Sequence, residues 1–111
     1  PLPESNQISM LLQGRWEMVM ISDSGGPSEP VPPGVFFTFQ EGSTVALADC
    51  PGESGIPYTV INGGGALRVQ VAPDSAVTWQ LLTLNQDTLI FEEGSDVWTL
   101  THRGDCAQPV Q

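Results

Sequence analysis

The sequence predicts an all-β fold, an eight-stranded antiparallel up-and-down β-barrel with a short N-terminal helix, on three observations. Eight short extended segments follow one another at regular spacing along 111 residues. Turns rich in Gly, Asn, Asp and Pro, many of hairpin length, separate them. The clearer segments alternate apolar with polar side chains. Regular spacing and short turns describe a meander, and eight meandering strands lose both edges by closing on themselves. A flattened two-sheet sandwich is the competing architecture.

Each element has a local reason. Residues 1–7, "PLPESNQ", read as an N-terminal tether, residues 8–106 as the barrel domain and 107–111 as a tail. A short helix is expected over 6–13. Ser5 or Asn6 accepts from the first free amides, Ile8, Leu11 and Leu12 share a face, and Gly14 ends the run. The strands are expected at 15–22, 35–40, 43–49, 57–62, 66–71, 76–84, 88–93 and 97–103. Between the first two lies "DSGGPSEPVPPG", whose prolines and glycines argue for an irregular loop. "EG" turns the second strand tightly into the third, and Gly63–Gly65 makes the hairpin between the fourth and fifth. Leu67, Val69 and Val71 fall on one face against Arg68 and Gln70, while Val77, Trp79 and Leu81 oppose Thr78 and Gln80.

Composition excludes several partners. Thirteen acidic residues face three bases, Arg15, Arg68 and Arg103, for a formal net charge of −10 with no lysine. Such a surface repels nucleic-acid phosphates and anionic headgroups. No apolar run reaches the 18 residues of a membrane-spanning helix. The 40% hydrophobic share suits one folded domain, and a monomer is expected. The chain starts at Pro1, as expected of a processed or trimmed form.

Cys50 and Cys106 are the two cysteines, both in Gly/Pro/Asp-rich stretches, "ADCPGES" and "RGDCAQP". The expectation is a disulfide, worth about 4 kcal/mol in the loop-entropy model, and hence an oxidising compartment. Two thiols, or a metal site completed by His102, are the alternatives; with one histidine and no CxxC pair the metal pattern is thin.

Gly14-x-Trp16 opens the first strand after the helix, and the last strand ends in "TLTHR". With eight strands between, over residues 8–103, the chain resembles the calycin superfamily, and more narrowly the small bacterial lipocalin-like domains. The resemblance implies that Trp16 plugs the closed end of the barrel and that Arg103 packs across its ring, with Gly14 giving the chain its turn. The chemistry is sensible: glycine allows the sharp turn, indole fills a narrow barrel end, and a guanidinium on its face adds about 0.5–2 kcal/mol.

Catalysis has little to work with, so no enzyme is expected. His102 reads as a barrel-end or surface histidine. "GESG" at 52–55 lacks the spacing of a nucleophile elbow. Glu92, Glu93 and Asp96 read as a solvated acidic hairpin without the alternation of a calcium loop. "DSGGPSEP" is no phosphate cradle, and no cofactor or metal is implied. Binding is the better class. Phe37, Phe39, Tyr58, Trp79 and Phe91, with Trp98 beside them, are candidates to line a lumen for a small apolar ligand, Tyr58 offering a polar handle. The same side chains equally well fill so small a barrel completely. The alternative is a protein-binding module, similar to secreted protease-inhibitor barrels, acting through its loops or N-terminal tail. Either way, a bacterial protein that is secreted, periplasmic or lipid-anchored to the envelope is expected.

Overall fold

The computed structural model describes residues 5–23, 26–40, 43–50 and 55–104. Among them run α1 (Ser5–Leu12), β1 (Gly14–Ser22), β2 (Ser28–Pro30), β3 (Phe36–Gln40), β4 (Thr44–Ala46), β5 (Ile56–Ile61), β6 (Ala66–Ala72), β7 (Ser75–Leu84), β8 (Thr88–Glu93) and β9 (Asp96–His102). β1 pairs with β3, each later strand pairs with the next, and β9 returns to β1, every pairing antiparallel. Eight strands thus close the expected barrel. The ninth, β2, is the departure.

β2 lies in the stretch expected to be irregular. It pairs with the far half of β1, from Met20↔Pro30 to Ser22↔Ser28, beyond the part of β1 that β3 covers. A strand on an edge needs no donor on its outer side, so proline is tolerated there. Val31 continues the ladder by donating its N–H to the Val19 carbonyl at 3.0 Å.

The expected strand over 43–49 keeps only Thr44–Ala46. Thr38 explains the early exit. It alternates with Phe37 and Phe39, both core residues, so its side chain lies on the outer face of β3. Its hydroxyl donates to the Ala48 carbonyl at 2.6 Å and accepts from the Cys50 N–H at 2.9 Å. The chain after Ala46 is thereby drawn over the outside of β3, burying Thr38 and leaving Leu47 exposed. The "EG" turn at 41–42 lies outside the described residues.

Bulges correct the alternation elsewhere. The register between β6 and β7 shifts between Val69 and Ala72. Val71, expected to face inward, is consequently 48% exposed. The Gln70 amide instead donates to the Ala72 carbonyl at 2.7 Å, closing the bulge. A second shift between Leu81 and Thr83 exposes Leu82 and keeps Leu84 in the core.

α1 begins within the expected tether and ends near the anticipated position. Ile8 and Leu12 are fully buried and Leu11 packs beside them. Gly14, at φ 116°, holds the left-handed conformation that lets the chain leave the helix and enter β1 directly. α1 covers the barrel end holding the β5–β6 and β7–β8 turns. The β6–β7 and β8–β9 turns lie at the opposite end.

Candidate functional site

At the helix-covered end Trp16 is fully buried. Its Nε1–H donates to the Leu12 carbonyl at 2.8 Å, satisfying one of the acceptors that the end of α1 leaves open. The aromatic edge against it belongs to His102, with ring centroids 4.7 Å apart and planes at 77°. His102 lies within reach of the Gln13 carbonyl through Nε2 (3.1 Å) and accepts from the Gly104 N–H at Nδ1 (3.2 Å). The Nε2–H tautomer satisfies both contacts.

Arg103 does not occupy the place that the resemblance gave it. β1–β9 register sets His102 directly opposite Trp16, so the next residue turns to the outer face. There the Arg103 guanidinium donates to Glu17 at 2.9 Å. The signal for this was present in the sequence: carrying the alternation of Trp98 and Leu100 one step further places His102, not Arg103, inside.

Glu17 also accepts from the Gly34 N–H at 3.1 Å. That bond first, and Arg103 second, hold its carboxyl below the ordinary value. On the same outer side Arg15 grips Asp49 at 2.7 and 3.2 Å and lies 4.8 Å from the Phe36 ring centroid. These charges fasten the long loops to the barrel wall and face away from its interior.

The interior is aromatic. β3, β7, β8 and β9 contribute one ring each from Phe37, Trp79, Phe91 and Trp98. Trp79 stacks on Phe91 at 4.5 Å and 22°. Phe37 lies 5.8 Å from Trp79, 6.2 Å from Phe91 and 5.8 Å from Trp98. Trp98 lies 5.2 Å from Phe91 and 6.3 Å from Trp79. Such offset and edge-on pairs suit the ring quadrupole. The four rings pack against one another across the barrel. Phe39 and Tyr58 form a separate edge-on pair, centroids 5.8 Å apart, with Phe39 opposite Gly14 near the helix-covered end. All five expected lining residues are buried and belong to one hydrophobic core.

Two polar features accompany the ring cluster. Trp79 Nε1–H donates to Glu93 at 2.7 Å. Glu93 shares a strand face with Leu89 and Phe91, and pairs with Asp96 across the β8–β9 turn, at the end opposite α1. The acidic hairpin is therefore not wholly solvated, as had been expected, for one of its carboxylates serves a core indole. The Trp98 Nε1–H is buried and has no hydrogen-bond partner among the described residues, although the Trp98 side chain as a whole is only partly buried. Sequence reasoning missed both, because each depends on surroundings that are not local in the chain.

Among the described residues no three His, Cys, Asp or Glu side chains gather as metal ligands, and no helix is long and apolar enough to cross a membrane. Cys50, the one cysteine among the described residues, is not a free thiol. Cys106, the segment 51–54 with most of "GESG", and residues 1–4 and 107–111 lie outside the described residues.

A closed antiparallel barrel, covered at one end by a helix and plugged there by the tryptophan of Gly14-x-Trp16, has the lipocalin-like fold. The solved structure of a lipocalin-like protein from Bacteroides uniformis is similar to it, with a TM-score of 0.65 and 17% identity over 84% of this chain and 99% of that one. No protein-family model and no curated protein matches the chain.

Proposed function

We propose that the protein is a non-catalytic binder of a small apolar molecule, held at the barrel end opposite α1. The observation that carries this reading is the ring cluster of Phe37, Trp79, Phe91 and Trp98. It forms an apolar floor whose Trp98 edge reaches partial exposure at the end that α1 leaves uncovered. Val31, Ile56 and Val77 pack on the same core from neighbouring strands and loops. The lipocalin-like fold supports the reading, as does the similarity to a protein described as lipocalin-like.

The reading extends to a secreted, periplasmic or envelope-attached monomer, supported by an acidic, lysine-free composition and by a Cys50–Cys106 disulfide that we also propose. The test is a mixed lipid extract offered to the purified protein, followed by mass spectrometry of what co-purifies. Saturable one-to-one retention of an apolar compound, weakened by Trp79→Ala, is the expected result. Retention of nothing would sink the reading and favour recognition of a protein through the loops.

A further inference from the structure

Resting on the binding reading above, we infer that the ligand carries a neutral head group with both a hydrogen-bond acceptor and a donor, an aliphatic alcohol or a primary amide in chemical class. We further infer that Trp98 and Glu93 select it. The Trp98 Nε1–H is the buried donor without a partner among the described residues. Buried donors in folded proteins are nearly always paired, and one that is not calls for a specific explanation. An acceptor on the bound molecule supplies it. Trp98 belongs to the same ring cluster as Trp79, 6.3 Å away between centroids, and the Trp79 indole carries the Glu93 carboxylate at 2.7 Å.

Glu93 keeps acceptor capacity after that bond, since a carboxylate offers about four lone-pair sites. It therefore takes a donor from the ligand and repels an anion. Half-burial strengthens that repulsion relative to bulk water, and the net charge of −10 adds to it at longer range. A fatty-acid carboxylate meets Glu93 unfavourably and brings no proton to donate. A hydrocarbon leaves Trp98 as it was. A hydroxyl or carboxamide satisfies both groups.

The experiment displaces an environment-sensitive apolar dye from the full chain at pH 7 with octanol, octanoate and octane. The wild type should bind octanol most tightly of the three. Trp98→Phe keeps a ring and removes the N–H. It should weaken octanol about three- to tenfold, as for one net hydrogen bond, and leave octane within about twofold. Glu93→Gln keeps an acceptor for Trp79 and removes the charge, and should narrow the gap between octanol and octanoate. Far-UV circular dichroism establishes that both variants are folded. Dye and octane binding with octanoate as tight as octanol, or a Trp98→Phe loss equal for octanol and octane, overturns the head-group assignment alone. Failure of the dye and all three compounds to bind overturns the proposed function and this assignment with it.

Discussion

Truncating the barrel plug tests the fold's logic most severely. Trp16→Ala removes a fully buried indole, a change that costs about 3–5 kcal/mol in packed cores. The structure says where the loss arises. The ring leaves a void under α1. The Leu12 carbonyl loses its 2.8 Å donor, worth about 1 kcal/mol and more if it stays dry. The His102 edge contact at 4.7 Å disappears too, at about 0.5–1.5 kcal/mol. These pieces overlap within the total. Against the 5–15 kcal/mol of a typical domain the change is large, and at about 4 °C per kcal/mol it lowers Tm by about 12–20 °C. Trp16→Phe, which keeps a ring but strips the carbonyl of its donor, should fall between, at about 1–3 kcal/mol. Urea unfolding followed by far-UV circular dichroism measures both without relying on the deleted fluorophore. A loss under about 1 kcal/mol for Trp16→Ala, with an unchanged m-value, would refute the plug.

Three further outcomes are expected. Glu17 has its folded pKa lowered by Gly34 and Arg103. Its contribution is therefore complete above the ordinary value of 4.5 and is lost as the pH falls through the lower folded value. The urea midpoint should drop in that acid range, and Glu17→Gln should flatten part of the drop; an unchanged profile counts against the pairing. Thr38→Val, which deletes both hydroxyl bonds to the 48–50 segment, should cost about 1–3 kcal/mol by equilibrium unfolding, and a neutral variant would contradict that account of the early end of β4. The unreduced, unfolded protein should show no titratable thiol, and reduction should lower its denaturation midpoint; two titratable thiols would end the proposed Cys50–Cys106 pairing.

What was legible in the sequence follows period and punctuation. Strands whose inward residues alternate without interruption, such as Leu89 and Phe91 in β8, lie where the pattern puts them. Gly14 and Trp16 were legible because each has one local task, a positive φ and a bulky plug. Val71 was misplaced because a bulge shifts parity, and no composition signal marks a bulge inside "ALRVQVAP". β2 was missed since Pro30 reads as a breaker, although an edge strand tolerates it. The identity of the interior aromatics was legible from alternation. Their mutual contact, the Glu93 bond to Trp79 and the solitary Trp98 N–H were not, because they depend on distances across a closed barrel.

The three tryptophans give the most direct test of where a ligand sits. Each indole N–H yields its own signal in a ¹⁵N-correlated NMR spectrum, assignable through single Trp→Phe variants. Trp16 lies under α1 with its N–H on Leu12, whereas Trp79 and Trp98 belong to the ring cluster. Titration with octanol should move the Trp98 signal most, the Trp79 signal with it, and leave Trp16 in place. All three signals unmoved at saturating octanol, or Trp16 moving ahead of the other two, would contradict a binding site at the end opposite the helix.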